Sequence, residues 1–548
     1  MRKAYIRLIL TVIVLLGIIF IYTYSQYLLI YKSRSRVSEH IFLNFESSNE
    51  LSYKEGKNGK IINGRDDWNE LKLKYQTIKD GVISRSEHKI YVYSAYLDTR
   101  TKDDGAIIGI RVNSLIPYES NVNIGIGCKV MIEDKGYSKF IDGKTRVFIH
   151  KEHHKKEFVA STIYCNTRND SVLLKENVDF KLSVAIILYE IENEENFSEI
   201  TLKVKSTLDP GPEDKNYLSI CVRPWWGEPT SINGEKINNK QIFSNIGLLL
   251  EFINAHIKLG IDKIYMYENY LGLSDDVLKL IELYSNEKKI LEIVPFRIPI
   301  LPFKQVWDFA QTSMIQDCLL RNTNKSEYLL FVDTDEFLFP TNSKYNLRSY
   351  FKLLDSSKNS NNIGALWIPM HFHFLEWETD VENKNRYKEI ETKIMNYCEN
   401  IEFVLYEKTC RMRKSGTTKG EKARRKVAVK PNKVLYMGIH EPEKMFKDYK
   451  FIKSPVINVK ESVIYNNSDS VGLILHHYRK ATSLVNNDPK QKELFSMYSN
   501  NNCSFNGNSS MNNQTVTIDN IVWDLFGIDI YNKILEDIIK IKLVNKYK

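Results

Sequence analysis

No two of the seven cysteines stand at Cys-x-x-Cys spacing, so the chain lacks the paired thiolates of structural zinc modules. It also lacks a basic helix or any alternation of aromatic with basic residues. Its formal charge of +9 is spread thinly over lysine and arginine, and nucleic acid is therefore not an expected partner. The low hydrophobicity of a disordered protein is missing too. With 548 residues and 43% hydrophobic composition the chain can bury more than one core, and two or three domains are expected. In an oxidising compartment, Cys128 with Cys165 and Cys398 with Cys410 are the pairings to test, with one thiol left over.

Charge is absent altogether from residues 8–24. With Tyr27-Leu-Leu-Ile30 this run is long enough to cross a ~30 Å hydrocarbon core as a helix. It exceeds the roughly 7–15 apolar residues of a signal peptide, and no small-x-small cleavage site follows, so residues 1–31 read as a short tail and a membrane anchor. Arg2, Lys3 and Arg7 before the span are matched by Lys32, Arg34 and Arg36 after it, which leaves orientation open. Sequons at Asn169, Asn196, Asn324, Asn466, Asn502, Asn508 and Asn513 favour a lumenal body, although in so asparagine-rich a chain several arise by chance.

Residues 32–87 are polar and glycine-punctuated, as in a stem. Over 88–208, alternating runs at 90–96, 106–112, 123–132, 158–164, 180–189 and 200–204 predict a β-rich, sandwich-like domain. His150, His153 and His154 fall in a lysine-rich link between two runs and read as a solvated loop rather than a metal site. Asp209-Pro-Gly-Pro-Glu213 is a hinge, and 209–490 forms the next unit. There, strand patterns at 217–222, 263–267 and 290–295 alternate with helical ones at 246–259, stopped by Gly260, at 275–284, and on Trp307, Ala310, Met314 and Cys318. That alternation predicts an α/β fold with a doubly wound, mostly parallel sheet. Residues 491–548 are an Asn/Ser-rich linker followed by an amphipathic segment, 521–544, expected to dock as a helix.

The chemistry concentrates in Tyr328-Leu-Leu-Phe-Val-Asp-Thr-Asp-Glu-Phe-Leu-Phe-Pro340, an apolar run that ends in Asp333, Asp335 and Glu336. A buried strand of a parallel sheet presents its carboxyl end to ligands. Like charges about 4 Å apart repel by roughly 4 kcal/mol near a protein surface, so three carboxylates call for a cation. Hard oxygen ligands suit Mg²⁺ or Mn²⁺ holding a substrate diphosphate. A solvated acidic turn is the alternative.

Several ordered stretches resemble glycosyltransferase family 92: Glu251-Phe-x-x-x-His256-x-x-x-Gly260-Ile-Asp-Lys-Ile-Tyr-Met-Tyr-Glu-Asn269, Gln316-Asp-Cys-Leu319, Phe331-Val-Asp-Thr-Asp-Glu-Phe337, Lys426-Val-Ala-Val-Lys-Pro431 with Met437-Gly-Ile-His-Glu-Pro442, His477-Tyr-Arg479, and upstream Tyr93-Ser-Ala-Tyr-Leu-Asp-Thr-Arg100. The resemblance spans roughly residues 88–485. It implies a GT-A catalytic domain in a single-pass type II Golgi enzyme that moves a hexose, galactose being expected, from a UDP-sugar to a glycan or glycoprotein acceptor with inversion. Asp333 and Asp335 are then the metal ligands, with His440 the first choice for a third and His477 the second. Arg223, Glu268, Lys426 and Arg479 are the candidates for holding the donor, and Trp225, Trp226 and Trp377 for stacking. Inversion needs a general base, for which Glu376 and Asp380 are the candidates. A catalytically inactive glycan-binding protein and a metal-dependent hydrolase remain alternatives from other classes.

Overall fold

The computed structural model describes residues 68–79, 82–100, 109–119, 123–134, 137–167, 181–207, 215–225, 246–268, 275–302, 304–357, 360–374, 425–459, 469–479 and 528–543, with short stretches such as 42–44, 410–412 and 516–518. The apolar run at 8–30, Glu376, Asp380, Trp226, Trp377 and Cys398 lie outside the described residues. Among the described residues no helix is long and apolar enough to cross a membrane.

The six alternating runs of the N-terminal half do become strands, and two that the pattern did not mark, over 69–79 and 137–149, join them. They are β1 (Asn69–Lys79), β2 (Val82–Asp98), β3 (Gly109–Pro117), β4 (Ile124–Asp134), β5 (Tyr137–Ile149), β6 (Phe158–Thr167), β7 (Lys181–Glu190) and β8 (Asn193–Ser206). Their hydrogen-bonded order is β5-β4-β7-β8-β2-β3-β6, and β6 returns to β5. The expected sandwich is therefore a closed seven-stranded barrel. The physical reason is β6, which bonds β3 along one edge and β5 along the other, so that no edge is left unpaired. Val92, Val112, Val130, Ile163, Val184 and Ile186 fill the interior, and Leu71 and Leu73 of β1 join them from the stretch assigned by composition to the stem.

Cys128 on β4 and Cys165 on β6 form a disulfide across the intervening β5. A Cβ at Gly143 of β5 would collide with both sulfurs, so glycine is required there. His150, read as part of a solvated loop, is instead fully buried: Nδ1 meets Glu443 Oε2 at 2.8 Å and Nε2 meets Thr162 Oγ1 at 3.0 Å.

The second unit is built on β9 (Asn216–Trp225), β10 (Lys263–Glu268), β11 (Leu291–Pro295) and β12 (Ser326–Val332), in the order β11-β10-β9-β12 and all parallel. Helices α1 (Ile246–Lys258), α2 (Asp275–Glu282) and α3 (Gln311–Arg321) make the crossovers. Gly260, at φ +93°, ends the turn after α1, in a left-handed position where a Cβ would also meet Arg348.

Past β12 the parallel run stops. The chain passes through β13 (Glu336–Pro340), helix α4 (Leu347–Ser356), β14 (Ile363–Ile368), β15 (Met370–Phe374), β16 (Lys426–Val429), β17 (Lys450–Lys453) and β18 (Leu473–Arg479). β16 is antiparallel to both β12 and β14, and β17 closes the sheet.

This corrects the expected doubly wound, mostly parallel α/β fold, because the described residues are mostly strand and the helices few. The sheet is mixed, and helices do not clothe both of its faces evenly. Leu218, Ile220, Leu330 and Ala428 point to one face, with α1, α2, α4 and the C-terminal helix. Cys221, Leu329, Phe331 and Val427 point to the other, which is covered by α3 and the outer wall of the barrel. Trp68 and Tyr93 of the barrel pack on Phe296 with ring centroids 5.5 and 4.9 Å away, each such pair adding about 0.5–1.5 kcal/mol beyond its buried area.

The docking is polar as well as apolar. Asp317 on α3 accepts from Ser94 Oγ (2.6 Å) and Tyr96 OH (2.7 Å) of the barrel, and from Tyr267 OH (2.6 Å) of β10. Burial raises its pKa, but Arg321 and these donors outweigh that and hold it at about 2. The expected C-terminal helix is α5 (Asp529–Leu543), which buries Ile530, Tyr531, Ile534, Ile538 and Ile541 at helical spacing.

Candidate active site

Asp333 and Asp335 stand where the sequence puts them, in the turn that leaves the carboxyl end of β12. Glu336 opens β13, which pairs with β18 so that Glu336 faces His477, and Phe372 of β15 flanks His477 from the other side. The turn is built by its own acids. Asp333 N–H donates to Glu336 Oε2 at 2.8 Å, and Tyr478 N–H donates to Asp335 O at 2.9 Å. The segment is therefore pinned between β12 and β18 rather than waving in solvent.

A lysine and a histidine answer the carboxylates directly. Lys426, the first residue of β16, places Nζ 3.1 Å from Asp333 Oδ2 and 2.9 Å from Glu336 Oε2. His477 places Nε2 3.4 Å from Asp335 Oδ2 and Nδ1 3.3 Å from Glu336 Oε1. Burial raises the pKa of Asp333, but Lys426 and Arg223 outweigh it and the carboxyl lies below its ordinary value. Glu336 is more deeply enclosed, and burial, opposed by Lys426, pushes its pKa up. Burial would lower the Lys426 pKa, yet Asp333 and Glu336 raise it well above that of a free lysine. Asp333 Oδ1 is buried with no hydrogen-bond partner among the described residues, whereas the Asp335 side chain is 37% exposed.

The other candidates separate into groups. Arg223, near the end of β9, pairs with Asp308 and acts electrostatically on Asp333, so it belongs to the cluster. Glu268 ends β10 beside Trp225 in register; one carboxylate oxygen meets Arg297 at 3.3 Å and the other is buried without a partner among the described residues. Arg479 ends β18, opposite Phe374. His440, the first choice for a third ligand, sits in the turn after residue 437 with Nδ1 3.0 Å from Arg425 O. The imidazole that meets the carboxylates is His477. Among the described residues, no three His, Cys, Asp or Glu side chains converge as a metal cage. Of the four expected ligands, His477 meets Asp335 at 3.4 Å, and Asp333 meets Lys426 at 3.1 Å.

Other quoted motif residues build the frame. Glu251 accepts from Tyr531 OH at 2.6 Å and from Leu405 N–H at 3.2 Å, fastening α5 onto α1. His256 is kept neutral by burial, which lowers its pKa to about 4. Gln316 bonds the Met437 backbone, and Cys318 forms a disulfide with Cys221, a pairing that spacing did not suggest. The sequon at Asn324 is occupied structurally: Nδ2 donates to Thr207 O at 2.9 Å and Ser326 is buried in β12. Sequence reasoning also missed Asp308, 25 residues before Asp333, since nothing in its spacing ties it to the acidic strand.

A β-1,4-galactosyltransferase of Caenorhabditis elegans is 24% identical over 371 residues, which are 67% of this chain and 71% of that protein. Residues 241–522, just over half the chain, match the model of glycosyltransferase family 92. The match takes in the acidic strand, Lys426 and His477, and the chain accordingly belongs to glycosyltransferase family 92 and is a glycosyltransferase.

Proposed function

We propose that this glycosyltransferase transfers a hexose, galactose by preference, from a uridine diphosphate sugar to a glycan hydroxyl with the help of Mn²⁺ or Mg²⁺. The observation that carries the reading is the cluster of Asp333, Asp335, Lys426, Arg223 and His477 at the carboxyl edge of parallel strands, the position where open sheets take ligands. Its donor set fits a divalent cation. Asp333 Oδ1 lacks a partner among the described residues, and Asp335 is open to solvent. Ions that accompany nucleotide phosphates are commonly held by one or two carboxylates plus the phosphates, without an all-protein cage. Once bound, such an ion neutralises the diphosphate leaving group. Lys426 and Arg223 share that charge from fixed positions.

In the transfer itself the acceptor oxygen bonds C1, and the bond from C1 to the phosphate oxygen breaks with its electron pair leaving on UDP. The acceptor proton passes to a carboxylate, for which Glu376 and Asp380 stay the candidates. The name of the C. elegans relative specifies a β linkage, and a β product from an α-linked nucleotide sugar requires inversion. The test is an assay of the full-length protein against a panel of UDP-hexoses, with Mn²⁺, Mg²⁺ or chelator, beside Asp335→Asn. Wild type should transfer hexose only with metal, and Asp335→Asn should lose roughly 10²–10³ in turnover. Metal-independent transfer, or an undiminished Asp335→Asn, refutes the metal role. Release of free sugar without acceptor product would favour a hydrolase.

A further inference from the structure

Between β11 and α3 the backbone makes a left-handed turn in which Asp308, Phe309 and Ala310 have φ of 46°, 54° and 55°. Side chains bearing a Cβ rarely adopt that region, and such a turn persists only where its surroundings enforce it. Here they do. Phe309 and Ala310 are buried in the core between sheet and barrel. The ring of His154 lies on Trp307 with centroids 3.8 Å apart, and Lys156 Nζ lies 5.9 Å from the same ring. Both come from the loop joining β5 to β6, which is tied on by Phe158 N–H to Gln305 O (2.8 Å) and Gln305 Nε2 to Glu157 Oε2 (3.1 Å). From the other side, the disulfide of Cys318 with Cys221 ties α3, which the turn initiates, to β9 two residues before Arg223.

What the turn delivers is the Asp308 carboxylate, which is ion-paired to the Arg223 guanidinium. Burial raises the Asp308 pKa; Arg223 and Lys426 oppose the rise and Asp333 adds to it, which places this pair in the same electrostatic cluster as the acidic turn. Arg223 keeps Nε–H buried and without an acceptor among the described residues. A guanidinium held by one nitrogen retains donors for a second, anionic partner.

We propose that Asp308 is a positioning residue that aims Arg223 at the diphosphate of the sugar donor, and that the barrel, through His154 on Trp307, holds it in that place. The inference rests on the donor reading above and extends it: the barrel is a working part of the donor site. Full-length protein with Mn²⁺ is titrated with UDP by calorimetry, and donor KM and kcat are measured, for wild type, Asp308→Asn, Asp308→Glu, Arg223→Ala, the Asp308→Asn/Arg223→Ala double variant and His154→Ala.

Asp308→Asn should weaken UDP and raise donor KM by about ten- to hundredfold, the scale of one hydrogen bond to a charged group. At saturating donor its kcat should stay within about threefold. Asp308→Glu should recover part of the loss, and Arg223→Ala should add little in the Asp308→Asn background. His154→Ala should shift donor KM in the same direction by a smaller factor, and it carries the test if Asp308→Asn does not fold. Unchanged UDP affinity in folded Asp308→Asn, additive losses in the double variant, or an unaltered His154→Ala overturns the proposal. UDP binding by wild type with no change in Asp308→Asn isolates the failure to Asp308, whereas a wild type that does not bind UDP refutes the donor reading and this inference with it.

Discussion

Replacing Lys426 by methionine removes an ammonium that touches both Asp333 and Glu336, at 3.1 and 2.9 Å, while keeping the length of the side chain. Lys426 and Glu336 are buried, so water cannot substitute for the lost charge. Breaking such a buried pair from one side costs about 3–5 kcal/mol, which in a chain of this size lowers the melting temperature by about 3–4 °C. The sign with pH follows from the shifts. Asp333, with a depressed pKa, contributes stability above its unfolded value, lost as pH falls through the folded one. Lys426, with a raised pKa, contributes stability in full below its unfolded value, lost as pH rises through the folded one.

Wild type therefore keeps both contributions through neutral pH. In Lys426→Met the deficit should be largest near pH 7–8 and shrink toward pH 4–5, where the two carboxyls take up protons. Mn²⁺ should stabilise the variant more than wild type, because it then answers carboxylates that have lost their lysine. The assay is differential scanning fluorimetry from pH 4.5 to 8.5, with and without Mn²⁺. A Lys426→Met melt within about 1 °C of wild type at pH 7.5, parallel pH profiles, or equal shifts with Mn²⁺ would refute the claim that this lysine balances the acidic turn.

The Asp335→Asn protein should melt within a few degrees of wild type, since its side chain is 37% exposed and its backbone bond to Tyr478 is retained; a collapse of the melt would make Asp335 a structural residue. Asp317→Asn should cost about 2–5 kcal/mol, as the amide keeps one of the two acceptor oxygens that three hydroxyls share and loses the charge that Arg321 meets. Because its pKa is held at about 2, wild type should keep this contribution until pH falls through the usual carboxylate range, and hydrogen exchange in β2 and β10 should report the loosening. No change in exchange in either strand would mean that Asp317 does not join barrel to sheet. The reading of residues 8–30 as an uncleaved anchor with a lumenal body in the Golgi expects endoglycosidase to shift the mobility of the full-length protein in the membrane fraction; a soluble, unglycosylated product would refute it.

Local pattern determined much of this protein. Six of the barrel's seven strands, the stop at Gly260, the helix at 529–543 and the position of Asp333 and Asp335 at a strand's carboxyl end all follow from period, turn residues and an abrupt change from apolar to acidic, which act over a few residues; the strand at 137–149 left no such mark. Cys128 with Cys165, one of the two pairings to test, forms, but its 37-residue separation is bridged by the fold and not by local pattern. Tertiary structure alone decided which edges met. Closure of the barrel depends on β6 finding β5 as well as β3, and the failure of the doubly wound expectation depends on β16 arriving antiparallel beside β12 from nearly a hundred residues away. Neither pairing leaves a mark in local periodicity, because a buried strand has the same composition whichever way its neighbour runs.

The site divides along the same line. The acids of the turn are contiguous and legible, but the charges that tune them come from β9, β16 and β18 and from the left-handed turn before α3. His477 rather than His440 meets the carboxylates because the pairing of β13 with β18 sets Glu336 opposite it, and Asp308 joins the cluster only because the turn before α3 folds it onto Arg223. Sequence determines which residues have the chemistry to hold a charged donor; folding brings them within a few ångströms, the range over which such charges act at full strength.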